Sequence, residues 1–378
     1  MTTLALPTTR DEAWRWSDLS ALPALADAQP AGKAPDVSHL WIGEGPRLLF
    51  VDGQLDAAAS RPEGIAVGPT ETRSAHPLGA LAASARGWTL SLGKDHAPAA
   101  TIEIIYASTG GANHVPARIA LAEDAQASIV ETFVGEGWAN RLTTISLANS
   151  ARLMRAIRIL STGGFVSLRE EGEVAGNASL TTTVLALGDA STRIDGAVTL
   201  TDDGAYAEVG GALLARGAQR HDAAVVLRHA APYGTSRQLW RAVADDKATA
   251  SMAARVEVAR DAQKTDGGQS LRGLLLQRTA TINLKPELEI FADDVKCAHG
   301  ATVGELDANA LFYLESRGLP PERAKALLTR AFVADAIDRI GDEAVREVFA
   351  KDAERWLEAV TESPSRLREG LGEGMSNG

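Results

Sequence analysis

The single cysteine of this 378-residue chain, Cys297, is followed two residues later by His299. On an extended strand, positions i and i+2 point to the same face. Val295 shares that face, while Lys296 and Ala298 point the other way. Lysine prefers water, so the Cys/His face is the one expected to be buried, in the chain's own core or under a partner subunit. A thiolate beside an imidazole suits zinc or iron. The same pair also reads as a small apolar cysteine next to a hydrogen-bonded turn histidine, and spacing alone does not choose. Ligand arithmetic adds a limit. A two- or four-iron cluster normally takes four protein ligands, mostly thiolates. A chain with one thiol cannot hold such a cluster by itself, so a partner must supply most of the ligands.

Other constellations are weaker. Asp293 and Asp294 have the types for acid–base work, but aspartates also favour the corner between two strands. His221 and His229 flank the apolar run DAAVVLR and read as structural, and no histidine pair shows metal-ligand spacing. The stretch Gly87 to Lys94 has the outline of a phosphate loop. It has five residues between its glycines instead of four, however, and Asp95 stands where a Ser or Thr is required. This chain is therefore not expected to be an ATPase. No nucleophile elbow and no dinucleotide fingerprint is present.

Composition sets the class. The chain is 45% hydrophobic and 23% charged, rich in glycine (35 residues) and poor in aromatics (5%), as suits many short, closely stacked strands. A net charge of −11 disfavours nucleic acid and anionic membranes. One cysteine excludes an intrachain disulfide framework. The N-terminus, MTTLALPTTRDEAW, lacks the apolar core of a secretory signal, and no run approaches the ~20 apolar residues of a membrane span. A cytoplasmic protein is expected.

Three regions separate by pattern: a mixed, partly helical segment over 1–75, a β region over 76–306 and a helical region over 307–378. In the first, Arg10 to Leu25 predicts one or two short helices with Trp14, Trp16, Leu19, Leu22 and Leu25 on one face. A Pro/Ala/Gly linker follows near Pro30 to Pro35, then paired strands around Gly43 to Pro46. From about Thr101 to Asp294, short β-type runs alternate with Gly, Asn and Asp roughly every 10 residues. The runs include ATIEIIYAS, ASIVETFV, GFVSLREE, LTTTVLAL, TRIDGAVTL and ATINLKPELEIFA. This fits a sandwich, barrel or solenoid, and no consensus repeat decides among them. From Asp307, an N-cap residue, the pattern turns helical. Gly318 is placed as the C′ residue of the first helix and Pro320 and Pro321 at the start of the second. Gly341 closes that helix, and a third runs to Thr361. The glycine-rich tail from Ser363 is expected to be frayed.

Several segments taken together carry a resemblance. They are SRQ at 236–238 after His229, DAQKTDGGQ at 261–269, LLLQ at 274–277, KPELEIFADDVKCAHGATVG at 285–304 and LFYLESRG at 311–318. In these, the chain closely resembles the SufB/SufD family of iron–sulfur cluster assembly proteins over about 229–332. The segment LPTTRDEAWRWSDL at 6–19 resembles the start of the SufD branch, and SufB-type chains are longer with additional cysteines. Ser251–Ala253 departs from the family, which tends to have an aromatic followed by small residues there. The resemblance implies a mostly β fold: a right-handed parallel β-helix core with N-terminal mixed/helical and C-terminal helical domains. It also implies a non-catalytic subunit whose β-helix pairs with SufB and whose C-terminal helices bind the ATPase SufC. A nascent iron–sulfur cluster would form transiently at the SufB–SufD interface, with none bound by this chain alone. The family's cysteine and histidine fall on Cys297 and His299, and His299 is the better ligand candidate. A homodimer outside the complex is left open. Two rival readings remain at this stage: a β-helix carbohydrate-active enzyme, disfavoured by the sparse aromatics, and a purely structural β-solenoid.

Overall fold

The computed structural model describes residues 5–30 and 32–361. Ala31 of the Pro30–Pro35 linker and the tail from Ser363 lie outside the described residues. In chain order, α1 (Leu22–Asp27) precedes β1 (Arg47–Val51), β2 (Gln54–Leu55) and β3 (Ile65–Pro69). Next come α2 (Pro77–Ala83), β4 (Arg86–Leu92), β5 (Ile102–His114), β6 (Ala117–Leu121) and β7 (Gln126–Leu147). The strands continue with β8 (Arg152–Ile159), β9 (Phe165–Val174), β10 (Ser179–Ala186), β11 (Ser191–Leu200), β12 (Tyr206–Ala215) and β13 (Arg220–His229). The last are β14 (Thr235–Ala244), β15 (Thr249–Val258), β16 (Asp266–Leu275), β17 (Thr281–Ile290) and β18 (Lys296–Gly304). Helices α3 (Ala308–Ser316), α4 (Pro321–Ile337) and α5 (Glu343–Thr361) complete the described residues.

Strands pair with their second neighbours in parallel, which makes a β-solenoid. One ladder runs β1, β5, the first half of β7, β8, β10, β12, β14, β16 and β18. The other runs β4, β6, the second half of β7, β9, β11, β13, β15 and β17. Gln126 pairs with Arg152, Arg152 with Ser179, Ser179 with Tyr206, Tyr206 with Thr235, Thr235 with Asp266 and Asp266 with Lys296. Each coil therefore takes 26 to 31 residues.

One corner of the coil is built the same way each time. Asp95, Asp124, Ser150, Asn177, Gly204, Tyr233 and Lys264 all sit at positive φ, between 54° and 71°. The N–H of each donates to a carbonyl one coil further on, for example Asp124 to Asn149 at 3.1 Å and Asn177 to Asp203 at 3.0 Å. Asp, Asn and Gly tolerate this left-handed conformation. The punctuation visible in the sequence is therefore a stacked corner with no fixed consensus.

The solenoid interior is one apolar column from Leu48 to Leu271, including Trp88, Phe133, Ile157, Leu213 and Trp240. It also contains a buried polar chain. Trp88 Nε1 donates to Tyr106 Oη (2.9 Å), and Tyr106 Oη donates to Glu131 (3.1 Å). Arg155 bridges Glu131 and Glu170, and Thr182 bonds Glu170. Arg141 lies over the Tyr106 ring at 4.1 Å.

Both outer faces are covered in part. On the first ladder, Val130, Leu185, Leu214, Val243 and Leu274 meet Val333, Ile337, Phe349, Trp356 and Leu357 of α4 and α5. Three outward arginine pairs fasten these helices: Arg158 to Asp352 (3.1 Å), Arg241 Nε to Asp335 (3.0 Å) and Arg339 Nη2 to Glu208 (2.8 Å). On the second ladder, a 3-10 turn at Glu12–Trp14 and α1 bring Trp14, Leu19 and Leu22 against Leu78, Trp138 and Phe165. Trp16 of the expected apolar face is half-exposed.

The expected strand pair around Gly43 to Pro46 is not formed. Leu40 ends a 3-10 turn at Ser38–Leu40, and β1 turns back into β2 through Asp52 and Gly53 at φ 47° and 79°. Two successive left-handed residues are what a tight hairpin turn requires.

Candidate functional site

The site is built by the last coil. Register aligns Ser236, Gly267 and Cys297 in one column, and Gln238, Gln269 and His299 in the next. Ser236 and Gln238 are fully buried, which makes this the inward face of the first ladder. Cys297 and His299 thus share a face, as strand alternation requires, and it is the face that lines the core. No further coil follows β18, so the core is open at this end. Cys297 is half-buried, resting on Val256, Val258 and Ala292, and Gly267 leaves room for its Sγ. His299 is exposed. Of the two kinds of burial expected for this face, the chain's own core gives Cys297 only partial cover and His299 none.

The residues around the pair have the same unfinished character. Ile290 and Val303 are 38% and 44% exposed, and Phe291 is 60% exposed. Leu284 and Leu288, across the open coil on β17, are only half-buried. Burial pushes the Cys297 thiol up from its usual range, against a lowering hydrogen bond with the Gly267 backbone, which favours the less nucleophilic neutral thiol. Among the described residues, no three His, Cys, Asp or Glu side chains converge to hold a metal ion. A site founded on Cys297 and His299 needs further ligands from outside these residues.

Asp293 and Asp294 form the corner between β17 and β18. Asp294 accepts from Lys264 through both its carbonyl and its carboxylate. His221 and His229 are fully buried, bonded to Thr192 Oγ1 (3.1 Å) and Ser236 Oγ (2.8 Å). Burial lowers both to a pKa of about 4, so they are neutral packing groups. Arg86–Leu92 is strand β4 and not a phosphate-binding loop.

A second exposed feature follows directly. Asp307 caps α3, its Oδ1 accepting from Ala310 N at 2.9 Å. Gly318 ends α3 at φ 90°, with Leu319 N donating to Leu314 O (3.2 Å). This is the left-handed cap placed from the sequence. None of the α3 residues is buried. Phe312 (72% exposed) and Tyr313 (56%) stand out, with Leu327 of α4 also exposed. Sequence reasoning saw these aromatics only as a family segment, since exposure leaves no periodic mark in so short a helix.

Residues 105–332, more than half of the chain, match the family model for the SufBD core domain of the SUF system for FeS cluster assembly. The chain is 28% identical over 379 residues to the iron–sulfur cluster assembly protein SufD of Escherichia coli, covering 93% of this chain and 89% of that one. It is 44% identical over 116 residues to a SufBD family protein of Synechocystis, covering 31% and 25% of the two chains. To SufD of Bacillus subtilis it is 28% identical over 208 residues, covering 55% and 48%. A parallel β-solenoid that ends in an open coil bearing Cys297 and His299, together with this match across its length, places the chain in the SufBD core family.

Proposed function

We propose that this chain is a non-catalytic subunit of SUF iron–sulfur cluster assembly, working in the cytoplasm. SufB completes its last coil, and SufC, which hydrolyses ATP, docks on its C-terminal helices. Family membership supports the assembly role. The observation that carries the pairing is the uncovered inward face of the last coil. A parallel solenoid that ends without a cap leaves core side chains and a strand edge in water. Here those side chains are Ile290, Val303, Cys297 and His299. A second β-helix set against this end buries them, and its thiolates complete a ligand set that one cysteine cannot supply. The cluster is cargo, held transiently between the two chains, with His299 as the ligand from this side and Cys297 as packing or as a second ligand. We keep 1–75, 76–306 and 307–378 as the functional division.

The surface for SufC is narrower than the whole helical region. The apolar stripe of α4 and α5 lies against the chain's own first ladder, so it is not available to a partner. Phe312, Tyr313 and Leu327 remain. Deleting residues 307–361 would uncover Val130, Leu185 and Leu214, so point substitution is the cleaner test.

The experiment is co-expression with SufB and SufC, with iron and sulfide content measured after reconstitution. His299→Ala should leave the complex assembled and lower cluster yield. Full cluster loading in that variant rejects the ligand role. Phe312→Ala with Tyr313→Ala should release SufC and leave SufB bound, and unchanged SufC recovery rejects the docking surface.

A further inference from the structure

His299 ends a column of inward side chains on the first ladder. Arg155 pairs with Thr182 and Thr182 with Val209; further along, Gln238 pairs with Gln269 and Gln269 with His299. Glu208 pairs with Arg237, which sets Val209 beside Gln238 and makes the series continuous. Each polar member below His299 crosses the core and bonds the opposite wall. Arg155 reaches Glu170 on β9, and Thr182 bonds the same carboxylate at 3.4 Å. Gln238 Nε2 donates to Arg255 O on β15 at 2.9 Å, and Gln269 Nε2 donates to Glu287 O on β17 at 3.3 Å. The glutamine tie thus repeats from one coil to the next. Its two acceptors, Arg255 and Glu287, are themselves register partners.

His299 holds the next position for such a tie, one coil above Gln269, and the wall it would reach is not supplied by this chain. The two glutamines find their acceptors 17 and 18 residues further on. At that distance beyond His299 the chain has reached the end of α3, which is no strand. Among the described residues, β17 is the last strand of the second ladder. In the free chain the imidazole is exposed and water serves it. Pairing at this end buries it. A neutral imidazole always carries one N–H, and a buried N–H without an acceptor is costly.

We propose that His299 ties the two subunits together, one ring N–H donating to a main-chain carbonyl of the partner strand that stacks above Glu287 on β17. The other ring nitrogen keeps its lone pair for the cluster. Ligating histidines are commonly held through their second nitrogen by a carbonyl or carboxylate, so the tie sets both the tautomer and the orientation of the ring. The inference rests on the pairing with SufB proposed above and is independent of the ligand role. The column itself names the substitution that preserves the tie. Glutamine provides an amide N–H at 238 and 269, whereas methionine has glutamine's length and no donor.

The test is isothermal titration of the full chain with full-length SufB, both free of iron and sulfide. His299 is exposed in the free chain, so its substitution should leave the fold intact, which thermal melting checks. His299→Gln should bind SufB within about twofold of the parent, and His299→Met roughly three- to tenfold more weakly, a change too small to dissolve a co-expressed complex. Cluster loading separates the tie from the ligand role. His299→Gln should pair normally and load less cluster; full loading in that variant rejects the ligand role and leaves the tie standing. His299→Met binding as tightly as the parent, or His299→Gln binding as weakly as His299→Met, overturns the proposal. If the parent chain itself does not bind SufB, the pairing falls and the tie falls with it.

Discussion

Replacing Arg155 by methionine tests how the solenoid tolerates charge in its interior. Arg155 is 2% exposed and bridges Glu131, also 2% exposed, to Glu170, 8% exposed. Methionine fills much of the same volume but leaves two buried carboxylates without their cation. Breaking a buried pair in this way costs about 3–5 kcal/mol. At roughly 2 °C per kcal/mol for a domain of this size, the melting temperature near pH 7.5 should fall by about 6–10 °C. The cost comes from uncompensated charge and not from lost contact, which gives two further expectations. The triple variant Arg155→Met, Glu131→Gln, Glu170→Gln should recover most of the loss. The deficit of the single variant should also shrink as pH falls from 7.5 to 5. Desolvation already raises the pKa of Glu170 with Arg155 present. With the cation gone, the Glu170 carboxyl takes up a proton more readily in the folded chain than in the unfolded one, and protonation reduces the penalty. The assay is differential scanning calorimetry across pH, with circular dichroism to confirm the β content. A deficit that does not change with pH, or a triple variant as unstable as the single one, refutes this account.

Three further outcomes follow. Asp222→Asn should be more stable than the parent at pH 7.5, by at most about 3 kcal/mol, because burial raises the folded carboxyl from the usual 3.8 to about 6. Because the folded pKa is raised, the penalty applies above about pH 6 and fades toward 4, so the two proteins should converge there; a gap that widens in acid contradicts this. His114, His221 and His229 are held near pKa 4 by burial, so each contributes stability that is complete above about 6.5 and lost as pH falls toward 4. Their imidazole signals in NMR should not titrate above pH 5 in the folded chain, and a midpoint near 6.5 would show that the ring is not buried. Gly135→Ala should destabilise the first coils severely, because φ is 87° and a new Cβ would lie 1.9 Å from Ser108 O. A melting temperature within ~2 °C of the parent would contradict that geometry.

The strands missed by pattern reading are instructive. Runs in β5, β6, β7, β9, β10, β11, β12, β13, β15 and β17 were legible as β-type segments. Strands β8 (RLMRAIRI), β14 (TSRQLWRAVA) and β16 (DGGQSLRGLL) were not. All three lie in the ladder whose outer face packs under α4 and α5. A strand covered on both sides loses the period-two alternation that marks a half-buried one. Here arginine occupies both faces: Arg155 points into the core, while Arg158 and Arg241 point out to helix carboxylates. A charged residue reads as solvent-facing in a sequence, and only the partners supplied by distant segments make its burial possible.

By itself, the sequence determined local matters: the Asp307 and Gly318 caps, the corner-forming Asp and Asn residues, the shared face of Cys297 and His299, and the ligand limit set by one thiol. Each depends on residues a few positions apart or on a count. The tertiary structure decided what lies 26 to 31 residues away in the next coil. It set which face of β18 lines the core, that this core is open where His299 stands, and that α4 and α5 cover the chain's own sheet. It also brought the N-terminal segment onto the second ladder, where Arg193 donates to Ala13 and Ser17. Those facts come from stacking, and a stack without a consensus repeat leaves no local signal of what will lie above or below a given residue.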